Sequence, residues 1–173
     1  MNLYILRHAS AGTRRVNPLI DTKRPLDKEG KQQCILVGNC LNALKVQFDL
    51  VVSSPLKRAL QTASLVGTET GYDGKIQISE GISPSATVKD FEELVAGLNG
   101  HENVLIVGHN PNLAVFLSSL LGPKINIRLR KGAIARVDVT RRPGVLHWLV
   151  DPRILRGGQT RVTKSSRRKT SRK

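Results

Sequence analysis

Leu3-Tyr4-Ile5-Leu6-Arg7-His8 opens the chain with four apolar residues that run straight into a guanidinium and an imidazole. Unbroken apolar character, rather than alternation, is the pattern of a strand covered on both faces, and so of a parallel sheet. The same form returns twice. Leu50-Val51-Val52 leads into Ser54-Pro55-Leu56-Lys57-Arg58-Ala59-Leu60-Gln61-Thr62, and Val104-Leu105-Ile106-Val107 leads into Gly108-His109-Asn110-Pro111. A weaker version lies between them, Ile76-Gln77-Ile78 followed by Glu80-Gly81-Ile82-Ser83-Pro84. Open α/β sheets gather their ligands at the carboxyl ends of such strands.

The segments between these runs carry helical spacing. Asp27 is placed to cap a helix over about 28–45, with Cys34, Val37, Leu41 and Leu44 on one side. Ser54 as N-cap and Pro55 at the first helical position predict a second helix to about Thr68, stopped at Gly71. Thr87 opens a third with Leu94, Val95 and Leu98 apolar, and Pro111 starts a fourth that reaches Leu121. Residues 9–26, with Gly12, Pro18 and Pro25, read as loop. Residues 133–140 and 145–151 alternate on either side of Arg141-Arg142-Pro143-Gly144 and read as a hairpin. The expected fold is α/β: a three-layer α/β/α sandwich with a mainly parallel central sheet and an antiparallel edge, in one domain over 1–152.

Charge divides the chain unevenly. Of the formal +15, nine Lys or Arg fall in residues 153–173, which contain no acid, leaving +6 for the rest. That tail lacks the apolar residues to pack and is expected to be disordered. It is either a solubilising extension or a non-specific attachment to a polyanion: nucleic acid, polyphosphate or an acidic protein. No apolar run approaches the length of about 18 residues needed to span a membrane, and no secretory signal precedes the first strand, so no membrane partner and a cytoplasmic location are expected. Cys34 and Cys40, six apart on one helix, point to different sides and cannot bridge, which fits a reducing compartment. No set of His, Cys and carboxylates has metal-ligand spacing, and His101 and His147 read as surface and structural residues.

The residues at the strand ends suit phosphoryl transfer. Arg7 and Arg58 offer planar, permanently charged forks for phosphate oxygens, and Arg58 falls in a first helical turn that itself favours an anion. His8 offers a neutral imidazole nitrogen as catalytic nucleophile, and His109, expected as an imidazolium at the neighbouring strand end, is placed to donate to a phosphoryl oxygen or act as acid–base partner. Each feature alone is commonplace; their joint occurrence at element boundaries is what carries the reading.

Arg7-His8-Ala9, Ser54-Pro55-x-x-Arg58-x-x-Gln61-Thr62 and Gly108-His109-Asn110-Pro111 together resemble the histidine phosphatase, or phosphoglycerate mutase-like, superfamily. Arg24-Pro25-Leu26-x-x-x-Gly30 and the Gly132-Ala133-Ile134-Ala135 strand are similar to its small phosphohistidine phosphatase type. The resemblance covers about residues 1–152. It implies a phosphorylated nucleophile at His8, a phosphate pocket of Arg7, Arg58 and His109, and no metal or organic cofactor. Ala9 stands where the family usually has Gly. The long insert that supplies a general acid in many members is missing, leaving Glu80 as the sole candidate. A short, open site without the acid-bearing insert favours phosphohistidine on a protein, whose nitrogen leaving group departs already protonated. The alternatives are a phosphatase of small phosphates, and a catalytically idle scaffold that binds phosphorylated ligands and polyanions.

Overall fold

The computed structural model describes residues 1–122 and 125–159. Six strands form one sheet: β1 (Asn2–Arg7), β2 (Leu50–Ser53), β3 (Gln77–Ile78), β4 (Asn103–Gly108), β5 (Ile134–Asp138) and β6 (Val145–Val150). Their order is β3-β2-β4-β1-β5-β6. The first four run parallel, and β5 and β6 add an antiparallel hairpin at the β1 edge. The helices are α1 (Pro18–Thr22), α2 (Lys28–Ala43), α3 (Lys57–Glu69), α4 (Val88–Ala96), α5 (Asn112–Leu121) and α6 (Pro152–Gln159).

Strand alternation sorts the core into two layers. Leu3 and Ile5 of β1, with Val104 and Ile106 of β4, pack with Phe91 of α4 and with Leu113 and Phe116 of α5. Tyr4 and Leu6, with Leu105 and Val107, face the other way onto Cys34 and Val37 of α2 and Ala63 and Val66 of α3. Both faces of β1, β2 and β4 are covered, which is why these strands read as unbroken apolar runs. The expected three-layer architecture with its antiparallel edge is the one found. With few aromatics, the rings pair: Phe91 stacks on Phe116 at 4.4 Å, and Tyr4 meets Phe48 edge-on at 5.2 Å.

Most expected caps hold. Asp27 accepts from the Gly30 N–H, and Thr87 with Asp90 forms a reciprocal capping box on α4. Three features differ from expectation. Ser54 does not cap α3, which starts two residues later with Leu56 as its uncapped N-terminal flank. The stretch 9–26 contains α1, nucleated by Asn17 accepting from the Leu19 N–H with Pro18 at the first turn, a local device that hydrophobic periodicity does not register. The boundary expected after residue 152 falls inside α6. That helix packs on α2: Leu155 joins the α2/α3 layer, and Arg156 donates to Glu29 at 2.9 Å. Only the remainder of the expected tail, from residue 160, lies outside the described residues. Cys34 and Cys40 are both free. Among the described residues no helix is long and apolar enough to cross a membrane.

The Arg24–Gly30 segment acquires a physical reason. The start of α2 lies against the loop after β1 so closely that a Cβ on Gly30 would overlap the Ser10 carbonyl group. Gly30→Ala is expected to cost about 2 kcal/mol, as overpacking does, read as a lowered denaturant midpoint with unchanged slope. A variant as stable as the parent would show that this contact does not hold the loop.

Candidate active site

Strand register brings the chemistry together. β1 and β4 are paired with Arg7 opposite Gly108, so the next residues, His8 and His109, emerge side by side. β2 and β4 are paired with Ser53 opposite Val107, which sets Ser54 beside Gly108. The His8 N–H donates to the Gly108 carbonyl and the Ser54 N–H to the Val107 carbonyl, both at 3.0 Å. The two imidazole rings end 5.0 Å apart. His8, Arg58 and His109 are all buried, at 6%, 6% and 3% exposure.

His8 is held in one tautomer. Its Nδ1 lies 2.8 Å from the Ala9 carbonyl oxygen, which can only accept, so Nδ1 carries the proton. Nε2 therefore holds the lone pair, and it accepts from Arg58 Nε at 3.3 Å. Ala9 keeps its methyl in the apolar layer with Leu6, Leu26 and Cys34, and its φ is not in the left-handed region, so alanine is accommodated where glycine is usual. The Ala9 N–H donates to Thr62 Oγ1, whose own hydroxyl donates to the Arg58 carbonyl at 2.7 Å. Thr62 thus ties the loop after β1 to the first turn of α3. Gln33 and Gln61 do similar work on the Ser10 and Leu26 N–H groups.

His109 Nε2 lies 2.8 Å from Ser54 Oγ, so the serine read as a helix cap instead fixes the second imidazole. Arg7 donates through Nη1 to the Leu129 carbonyl, which Asn110 Nδ2 also reaches. Arg58 Nη1 is met by the Asp21 main-chain and side-chain oxygens at 3.0 and 3.3 Å. Asp21 in turn is gripped by Arg24 Nε at 2.8 Å and accepts from the Arg15 N–H. No sequence pattern flagged Asp21; the capping signal at Asn17-Pro18 was the available hint. Glu80, by contrast, sits exposed in the 3-10 turn Glu80–Ile82 and does not line the cavity. The structure brings Arg7, His8, Arg58 and His109 together and leaves Glu80 out, because the short β3 lies at the far edge of the sheet.

These side chains line a cavity of about 520 Å³ whose wall carries Arg7, Arg14, Arg15, Arg24, Arg58 and Lys131 against one carboxylate, Asp21. Burial pushes the His8 imidazole down to about 3, with Arg58 and Arg7 adding repulsion against the bond to Ala9. Burial likewise pushes His109 down to about 2, reinforced by His8 and both arginines. Asp21 is held at about 2, chiefly by its hydrogen bond from Arg24. At neutral pH the site therefore contains two neutral imidazoles, cationic forks and an ionised Asp21; burial keeps His109 neutral rather than the imidazolium expected of it. It offers a nucleophile and anion binding, and Asp21 is too acidic to serve as a proton donor. Among the described residues no cluster of three or more His, Cys, Asp or Glu side chains is placed to hold a metal ion.

This constellation is that of a phosphatase working through histidine, and comparison with known proteins agrees. Residues 3–83 match the histidine phosphatase superfamily (branch 1). The chain is 26% identical over 155 residues to the phosphohistidine phosphatase SixA of Escherichia coli, covering 88% of this chain and 94% of that protein. It is 31% identical over 154 residues to an uncharacterised protein of Picosynechococcus, covering 80% of this chain and 89% of the other. The structure of protein histidine phosphatase SixA complexed with tungstate superposes with a TM-score of 0.82 at 26% identity, over 90% of this chain and 99% of that one. The chain belongs to the histidine phosphatase superfamily, in its SixA-like type. It is a phosphatase with a histidine nucleophile.

The depressed imidazoles give the fold a pH signature. Unfolded, each histidine takes up a proton near 6.5; folded, His8 and His109 resist until about 3 and about 2. Below pH 6.5 the unfolded chain binds more protons, so stability falls as pH falls. Between pH 6.5 and 5 the pair is expected to cost roughly 3 kcal/mol. Thermal unfolding across that range should show the loss, and His109→Asn should flatten it; equal slopes in both proteins would contradict the buried, neutral pair.

Proposed function

We propose that the enzyme hydrolyses phosphohistidine on a protein through a phosphorylated His8. The carrying observation is the pair of hydrogen bonds that leaves His8 Nε2 as a lone pair against Arg58 while Nδ1–H stays on the Ala9 carbonyl. In this reading Nε2 attacks phosphorus in line, and the phosphorus–nitrogen bond of the substrate breaks. Its electron pair returns to the substrate imidazole, which leaves neutral because its other nitrogen already carries a proton. Arg7 and Arg58 hold the phosphoryl oxygens, His109 adds a second imidazole beside them, and the uncapped start of α3 favours the same anion. Water then attacks phosphorus, and His8 departs as a neutral imidazole because Nδ1 kept its proton throughout. Neither step needs an acid from the protein, which agrees with Glu80 lying away from the cavity and Asp21 being ionised. An alkoxide leaving group does need one. SixA of Escherichia coli carries the name of a phosphohistidine phosphatase, which supports the same substrate class here.

The test is turnover of a phosphohistidine peptide, a phosphoserine peptide and a sugar phosphate, followed by acid-free mass spectrometry of quenched enzyme. Phosphohistidine should be turned over fastest by on the order of 100-fold or more, with acid-labile phosphate on His8 and no turnover by His8→Ala. Comparable rates on all three would replace the substrate assignment with a general small-phosphate one, and phosphate elsewhere would reject His8. Retained turnover by His8→Ala would do the same, whereas an idle scaffold would show no turnover at all.

The free thiols Cys34 and Cys40 support a cytoplasmic location. For the basic segment after Gln159 we propose non-specific attachment to a polyanion, supported by its charge. Truncation after Gln159 should remove salt-sensitive binding to polyphosphate and leave small-substrate turnover unchanged; polyphosphate binding that survives truncation would refute it.

A further inference from the structure

The strap from Gly12 to Thr22 forms one wall of the cavity, and the chemistry above uses only its Asp21. Its apolar residues face water. Val16 is fully exposed, Leu19 is 76% and Ile20 56% exposed, and α1 buries no residue at all. The strap keeps its shape by polar ties instead. Asn17 caps α1, Thr22 Oγ1 donates to the Leu19 carbonyl at 2.8 Å, and Asp21 binds the Arg15 N–H, Arg24 and Arg58. These three aliphatic side chains lie within five residues and bury nothing in the fold; Val16 lines the cavity, and Leu19 and Ile20 stand on the same short strap just outside its lining. Exposed apolar side chains gathered beside a site suit a contact surface.

The charges beside it are one-sided. Arg14 and Arg15 are exposed on the same strap, and Lys131 lines the cavity too. Neither Arg14 nor Arg15 forms an ion pair among the described residues. Asp21, the sole carboxylate of the wall among the described residues, is already engaged by Arg24 and Arg58. An incoming surface thus meets uncompensated positive charge around an apolar patch. The reactive groups are almost wholly buried, so a phosphorylated side chain must reach inward while whatever carries it rests on the rim. A free small phosphate would leave Leu19 and Ile20, which lie outside the cavity lining, in water.

We propose that this strap docks the phosphoprotein substrate, recognising a phosphohistidine flanked by carboxylates and by apolar side chains. The inference rests on the phosphohistidine reading and adds to it what surrounds the phosphorylated residue. An anionic lipid surface shares the basic and apolar chemistry, but seated here it would cover the mouth of the site.

The experiment reads binding apart from turnover. The His8→Ala protein is titrated with two peptides phosphorylated by phosphoramidate, one Glu-Leu-phosphohistidine-Leu-Glu, the other Lys-Ser-phosphohistidine-Ser-Lys. The first should bind about 10-fold more tightly at low salt, with the gap narrowing as salt rises. Adding Leu19→Ser and Ile20→Ser should erase the part of the preference due to leucine, and Arg14→Glu with Arg15→Glu should reverse the part due to charge. In the otherwise wild-type enzyme, Leu19→Ser with Ile20→Ser should leave turnover of free phosphohistidine unchanged, separating docking from misfolding. Equal affinities for the two peptides, or a preference that survives the strap changes, overturns the proposal. So does binding to phosphatidylserine–phosphatidylcholine vesicles that depends on Leu19 and Ile20 without any peptide preference. Peptides bound with the expected preference yet never hydrolysed by the wild-type enzyme would uphold the docking surface and sink the phosphohistidine reading instead.

Discussion

The site exists because three parallel strands stop in step. With Arg7 opposite Gly108 and Ser53 opposite Val107, the residues that follow β1, β4 and β2 arrive at one edge of the sheet. A slip of one residue in either pairing would turn the core faces inside out as well as scatter the site. The hydrophobic layers that fix the register, Leu3 and Ile5 to one side and Tyr4 and Leu6 to the other, thereby also fix the distance between two imidazoles. Core packing and active-site geometry are set by the same pairing.

Convergence has an electrostatic cost that the surrounding atoms offset. Burial pulls both Arg7 and Arg58 below their usual range, and Arg24 and Arg14 add repulsion at Arg58. Carbonyl and carboxylate oxygens answer them: Leu129 for Arg7, Asp21 for Arg58. The imidazoles answer by staying neutral. An anion entering this cavity meets groups whose unfavourable mutual field it relieves, which is how a site of cationic forks and neutral imidazoles comes to favour phosphate.

The strands, their order along the chain and the four convergent residues were legible because each leaves a strong local mark: an apolar run followed by a charged or ring side chain. What escaped was set by tertiary contact. Ser54 before Pro55 carries every sign of a helix cap, yet its hydroxyl goes to His109, and only the placement of β4 beside β2 makes that possible. Asp21 lies in a stretch with no periodicity, and its role depends on Arg58, 37 residues away. Glu80 follows an apolar run as His8 does, but its strand is short and outermost, so the same local pattern lands elsewhere. Ile154-Leu155, a single apolar pair between two arginines and followed by Gly157-Gly158, was too sparse a signal to reveal α6.

One bond sets how this enzyme tolerates change. The proton on His8 is anchored to the carbonyl of the adjacent residue, not to a distant carboxylate or amide. Every possible amino acid at position 9 supplies that carbonyl, so no single side-chain replacement deletes the acceptor. Substitutions can therefore redecorate the cavity wall and trade rim charges while His8 Nε2 keeps its electron pair available.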